Sequence, residues 1–285
     1  MEHSFKRFIG VDLGGGKGKK TALAVLDTSR AGVTVTLLSP HAKERPLYDA
    51  ALVGAILSRR KGAVVCVDAP LTLPPCLRCT EPVCPGQDAC VDAEVLSMRS
   101  LVRSDAAASD RDRRRGKPVI TPYTQRATDL YLRTRGILAR ETLGQGMGPL
   151  AARAAHLVRA LGQHFRLNHN LIEVFPRATL ELLGFRDPYK KRADRRIDIL
   201  ASLGDLSFGP GVWREECRQS DHAFDAVLCA YTGYLRSRDG WQITELAGDE
   251  IDPRGWIWVP PEPATVESAK AEKTDAPKPA VGRAG

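Results

Sequence analysis

Acidic side chains end or interrupt apolar runs at three separated places in this sequence of 285 residues. Asp12 ends the run FIGVD, Asp68 ends VVCVD, and Glu173 lies inside LIEVF. An unpaired charge is costly to bury, so a carboxylate in such a run normally has a metal ion or a cationic side chain beside it. If the three runs are strands of one sheet, their carboxylates converge and offer the oxygen ligands that Mg²⁺ and Mn²⁺ prefer.

A fourth acidic group lies on a stretch with helical character, DHAFDAVLCA. His222 is three residues before Asp225, and Asp221 is four residues before it, so the three side chains share roughly one face of a helix. If that face is turned towards the strand ends, two or three of these groups would form an oxygen-rich site for a divalent cation.

Four cysteines follow Asp68 in the pattern C-x2-C-x4-C-x5-C, within a proline-rich segment. The N-terminal apolar stretch is too short for a secretion signal, so we expect a cytoplasmic protein whose thiols stay reduced. Four neighbouring thiolates then predict a tetrahedral Zn²⁺ site that folds this segment. An iron-sulfur cluster is the second interpretation and unligated thiols the third. The four residues are Cys76, Cys79, Cys84 and Cys90.

Apolar periodicity indicates the elements that would position these groups. Runs at 8–12, 21–27 and 33–39 are joined by short loops and predict three antiparallel strands. Helical spacing at 48–59 and a buried run at 63–68 then predict a helix and a parallel strand. Further strands are predicted at 171–175, in WQITEL and in GWIWVP, with helices at 150–163, 178–183 and 221–238.

This order of elements predicts an α/β fold, with an RNase H-like mixed sheet of three antiparallel strands and then parallel strands, flanked by helices. We assign residues 7–260 to one catalytic domain. Residues 70–165 are too long for a simple connection and form an insertion that contains the cysteines. Residues 261–285 are rich in Pro, Ala and charge and predict a disordered tail. No apolar stretch is long enough to span a bilayer.

The net charge of +8 suits an anionic partner such as nucleic acid, although surface solubility explains it equally well. Basic runs at 111–117 and 190–196 could follow a phosphate backbone, but the aspartates within or beside them are also typical of a solvated face. The loop GGGKGKK at 14–20 could hold a phosphate with backbone amides and lysines, and is equally compatible with a hairpin turn.

Five segments, taken in order, resemble domain-of-unknown-function family 429, a group of predicted RNase H-like nucleases. They are GVDLGGGKGKKTALAVL, CVDAPLTLP, EVFPRATLELLG, DHAFDAVLCAYTG and GWIWVP, and the resemblance covers about residues 7–260. It implies that Asp12, Asp68 and Asp225 are metal ligands. It also places His222 where some Holliday-junction resolvases carry a histidine. Asp221 is a spare catalytic candidate, while Glu173 either joins the site or positions a strand end.

The resemblance implies a hydrolase that acts on DNA or RNA. Two Mg²⁺ or Mn²⁺ ions bridged by Asp12 would activate water for in-line attack on a phosphodiester. Two other functions fit parts of the sequence. One is a non-catalytic nucleic-acid-binding protein. The other is an actin-like ATPase or sugar kinase, which begins with a similar strand, glycine turn and strand but needs a second glycine-rich phosphate motif that this sequence lacks.

Overall fold

The fold is known from a computed structural model that describes residues 5–16, 20–39, 47–104, 118–211, 213–243 and 255–261. Seven strands within these ranges form one sheet. The strands are β1 (Arg7–Asp12), β2 (Ala22–Ser29), β3 (Gly32–Ser39), β4 (Ala63–Asp68), β5 (Leu171–Val174), β6 (Leu206–Phe208) and β7 (Ile257–Trp258).

The sheet has the order β6-β3-β2-β1-β4-β5-β7. Strands β1, β2 and β3 pair antiparallel, whereas β4, β5 and β7 continue from β1 in parallel. The short strand β6 adds to β3 in parallel. The prediction of a mixed sheet, antiparallel and then parallel, is therefore confirmed.

Helices cover both faces of the sheet in the described residues. One face packs against α1 and α5, and the other against α9. The helices are α1 (Asp49–Leu57), α2 (Pro75–Arg78), α3 (Ala93–Ser104), α4 (Ala127–Thr134), α5 (Gly148–Leu161), α6 (Pro176–Leu182), α7 (Ala193–Ser202), α8 (Trp213–Gln219) and α9 (Asp221–Asp239).

Helix α9 lies directly on β1 because a glycine leaves room for its backbone. A Cβ atom at Gly10 would lie 2.0 Å from the carbonyl oxygen of Ala226. The start of α9 is fixed by Ser220, whose hydroxyl accepts a hydrogen bond from the Ala223 amide at 3.2 Å. This close contact brings the first turns of α9 to the carboxyl end of β1.

The remaining predictions differ in outcome. The described part of the insertion contains α2 to α5, and GWIWVP contributes β7. WQITEL does not supply a strand at residues 241–243, and its last three residues lie outside the described ranges. The predicted tail also lies outside them, apart from residue 261. No helix in the described ranges is long and apolar enough to cross a membrane.

Candidate active site

Two of the predicted carboxylates end neighbouring parallel strands. Asp12 of β1 and Asp68 of β4 are register partners, so they leave the sheet at the same level and on the same face. That face is the one covered by α9, because Gly10 is two residues before Asp12 and faces the helix. Asp12 and Asp68 therefore lie side by side at this edge of the sheet.

Helix α9 adds His222 and Asp225 to the same edge. The Nδ1 atom of His222 lies 2.6 Å from Oδ2 of Asp12. This hydrogen bond is the main reason that the pKa of His222 is raised, and the charges of Asp12 and Asp221 raise it further. Asp221 itself is half-buried in the first turn of α9.

Asp225 is 2% exposed and has a partner for each carboxylate oxygen. The Tyr189 hydroxyl donates to Oδ1 at 2.8 Å, and the Lys190 ammonium lies 3.3 Å from Oδ2. Arg196 holds these two residues in place by donating from Nη1 to both of their carbonyl oxygens at 2.8 Å. No local sequence pattern marks Tyr189, and Lys190 is predicted only as part of a basic run.

Burial and mutual repulsion shift the protonation of these carboxyl groups. Burial raises the pKa of Asp68 well above its usual value, and the nearby charges of Asp12 and Asp225 raise it further. Burial also raises the pKa of Asp225 to about 7, despite the opposing effect of Lys190. The site thus concentrates negative charge that is unfavourable without cations.

The donor chemistry of the site suits a hard divalent cation, since the charges of three neighbouring carboxylates act on one another. As the side chains stand, no three His, Cys, Asp or Glu residues in the described ranges are placed to hold one ion. The Lys190 ammonium instead provides positive charge beside Asp225. Metal ligation by Asp12, Asp68 and Asp225 therefore stays a prediction.

Glu173 takes part in hydrogen bonds that are separate from those of Asp12 and Asp225. Its Oε1 and Oε2 atoms each accept from Arg126 at 2.7 Å, and the Leu71 amide donates to Oε2 at 2.8 Å. Arg126 also donates to Asp129 Oδ1 at 2.9 Å. Of the two expected roles for Glu173, these contacts favour positioning of the strand end. Arg126 was missed because nothing local links it to Glu173, 47 residues away.

A cavity of about 420 Å³ opens over this edge of the sheet. Asp12, Asp68 and Glu173 lie on its strand side, and the insertion supplies the opposite side. The insertion residues that line it are Arg126, Asp129, Leu138, Ala139, Arg140, Met147 and Leu150.

The cysteines of the predicted metal site follow Asp68 in the sequence, and most of them are exposed. Cys76, Cys79 and Cys84 are exposed, Cys90 is half-buried, and all four thiols are free. Residues 79–92 form no helix or strand, and none of their side chains is buried. The described residues contain no set of three thiols placed to bind one metal ion. Zinc or iron-sulfur binding here stays a prediction.

The basic run 190–196 is exposed only in part. In the run 190–196, Arg196 is buried and Arg195 pairs with Asp187 at 3.0 Å, so the run is not one exposed patch. The run 111–117 lies outside the described residues, as do Lys17 and Lys19 of the glycine loop.

Comparison with known proteins gives one match. The family model described as "Protein of unknown function (DUF429)" matches residues 10–244, a range that includes Asp12, Asp68, Asp225 and the cysteine loop. No curated protein and no solved structure matches the chain. The match confirms the resemblance to this family, and the nuclease activity stays a prediction.

Proposed function

The chain belongs to the DUF429 family, and from its carboxylate pocket we propose that it is a divalent-cation-dependent hydrolase of phosphodiester bonds in nucleic acid. One observation carries the proposal. Asp12, Asp68 and Asp225 come from two strands and a helix, yet meet at one end of the sheet beside an open cavity. Perturbed acids gathered in a cleft are typical of catalytic sites rather than of structural ones.

The charge of the pocket supports cation-assisted chemistry. Three carboxylates repel the anionic phosphate that the reaction requires, so their cost is offset only when cations bind with the substrate. Asp12, Asp68 and Asp225 would hold Mg²⁺ or Mn²⁺. The bound cation would stabilise the charge of the phosphate as a Lewis acid and lower the pKa of the attacking water.

The chain's own side chains have separate tasks in this proposal. The hydrogen bond between Asp12 Oδ2 and His222 Nδ1 fixes the imidazole ring, and this side chain is 40% exposed and can exchange a proton with water or a leaving oxygen. Tyr189 orients Asp225 by donating to it. Lys190, at the pocket wall, can bind a non-bridging phosphate oxygen. The free thiols suit a reducing compartment, and we place the protein in the cytoplasm.

The proposal is tested by cleavage of labelled DNA and RNA oligonucleotides with and without Mg²⁺ or Mn²⁺. We expect metal-dependent cleavage that falls at least about 100-fold in Asp12→Asn, because a carboxylate that would hold the cation is lost. Asp198→Asn is the matched control, since this exposed aspartate lies on α7 outside the pocket.

Other outcomes would assign a different function. Tight oligonucleotide binding without cleavage under any metal condition would favour the non-catalytic nucleic-acid-binding protein. Metal-dependent ATP hydrolysis without oligonucleotide cleavage would favour the ATPase. Cleavage that survives in Asp12→Asn as well as in Asp198→Asn would come from a contaminant and would remove the support for this site.

A further inference from the structure

We infer that the pocket accepts a single nucleotide unit of an unpaired strand and excludes the intact duplex. This inference rests on the proposed function and names its substrate class. It depends on the size of the cavity, on the chemistry of its strand side and its insertion side, and on the contacts that hold the insertion side, its outer wall, in place.

The size of the cavity is that of a small-ligand site. Its volume of about 420 Å³ lies at the lower end of the range of about 300–1,000 Å³ for such pockets. Enzymes that place reactive groups inside an enclosed pocket act on single strands, or first take a nucleotide out of the stack. Asp12 and Asp68 line a cavity that the insertion bounds on its other side, and they do not stand on a flat surface.

A nucleotide needs one site for its charged phosphate and an apolar surface for its base, and the cavity offers both. Asp12 and Asp68 form an acidic end where cations and the phosphate would meet, and Lys190 adds positive charge there. The insertion side of the cavity carries apolar side chains beside three charged ones, and it includes Leu138, which is 83% exposed. A large apolar side chain exposed at a pocket rim offers a surface for the face of any base. Other apolar residues that line the cavity are Met147, Leu150, Phe175 and Ile257.

The outer wall is fixed to the strand ends by a chain of buried polar contacts. Asp129 Oδ2 accepts from the Thr142 hydroxyl at 2.9 Å, while its Oδ1 accepts from Arg126. Arg126 in turn holds Glu173 of β5 with two bonds of 2.7 Å.

A second pair of contacts secures the same segment. Gln125 Nε2 and the Thr124 hydroxyl donate to the two carboxylate oxygens of Glu141 at 2.9 and 3.0 Å. Both sets of contacts anchor the residues just after Leu138 to the segment 124–129, and we expect this wall to keep a duplex away from the carboxylates.

The test measures binding of a fluorescent 20-nucleotide single strand and of the same strand in a complete duplex, by anisotropy at fixed salt in Ca²⁺. We expect the single strand to bind at least about tenfold more tightly than the duplex. Leu138→Ala should weaken single-strand binding by about 5- to 10-fold, since one base loses its contact surface. Leu96→Ala is the control, because Leu96 is also an exposed leucine but lies on α3 and does not line the cavity.

Failure of this inference is distinguishable from failure of the proposed function. Equal binding of single strand and duplex, or unchanged binding in Leu138→Ala, would overturn the inference even if Asp12-dependent cleavage is observed. A preference for single strands that depends on Leu138 would support it even if no cleavage occurs. Rapid cleavage of duplex interior sites would overturn the inference and leave the proposed function intact.

Discussion

The carboxylate pocket and the cysteine loop follow each other in the chain, yet they are held by different means. Asp12 and Asp68 at the pocket and Asp225 beside it stand on β1, β4 and α9, elements that form the centre of the core. The loop of residues 79–92 has no buried side chain and no regular structure. Main-chain carbonyls of the loop, at Gln87, Asp88 and Cys90, accept hydrogen bonds from Arg99 of α3.

The difference follows from the cost of burying each kind of group. A buried carboxylate must have partners, so Asp225 and Glu173 are fixed by Tyr189, Lys190 and Arg126 whether or not a ligand binds. An exposed neutral thiol has no such requirement. The pocket is therefore organised by folding alone, whereas the cysteine loop would gain its order from a metal.

The largest expected effect tests whether folding organises the pocket. Arg126→Met leaves Glu173 and Asp129 buried without their cation, and we expect a loss of about 3–5 kcal/mol in the free energy of unfolding. Urea unfolding at neutral pH measures it. Arg218→Met is the control, because its ion pairs are exposed and are worth about 1 kcal/mol or less. Similar losses in the two variants would mean that Arg126 does not organise the pocket.

A second effect concerns the pH dependence of stability without divalent metal. The pKa of Asp225 is raised to about 7 in the folded state, so between about pH 4 and pH 7 the folded protein binds a proton that the unfolded chain has released. Stability from this group is therefore present at low pH and lost as the pH rises through about 7. The raised pKa of His222 acts in the same direction.

We expect the wild-type protein to lose a few kcal/mol of unfolding free energy between pH 5 and pH 8, measured by urea unfolding in EDTA. Asp225→Asn should weaken this dependence but not abolish it, since Asp68 and His222 still contribute to it, and Asp198→Asn should keep it. Added Mn²⁺ should stabilise the wild-type protein most at pH 8, where the carboxylates are ionised. A profile that is the same in Asp225→Asn would show that Asp225 ionises normally in the folded protein.

The sequence predicted the framework of the pocket more completely than its contacts. Strand β4 was predicted at its observed bounds, because five apolar residues in a row before Asp68 allow few alternatives. The convergence of Asp12 and Asp68 then follows from parallel pairing. Strand β6 was missed because three residues are too short for a periodic signal.

The partners of the buried charges could not be predicted, because they are distant in the chain. Tyr189 is 36 residues from Asp225, and Arg126 is 47 residues from Glu173. Only folding brings these pairs together, and neither pair has a local pattern. Arg196 gave a misleading signal, since its place in a basic run favoured solvent whereas its guanidinium is buried against main-chain carbonyls.

The smallest expected effect on core stability concerns the cysteine loop, and it tests whether this loop gains its order from a metal. If the predicted cysteine site forms, protein purified without oxygen or chelators contains one zinc ion or one iron-sulfur cluster per chain, measured by elemental analysis. Cys79→Ser should remove that metal and speed proteolysis within residues 79–92. Because no side chain in this loop is buried, the free energy of unfolding of the core should change by only about 0.5 kcal/mol or less.

Cys217→Ser gives the opposite pattern and serves as the matched control. This thiol is buried in the main core, so its replacement should lower the stability of the fold and leave the metal content unchanged. Metal-free wild-type protein in which Cys76, Cys79, Cys84 and Cys90 all react freely with an alkylating reagent would contradict the metal prediction. The loop would then be an exposed connection, because folding of the neighbouring pocket does not require it to be ordered.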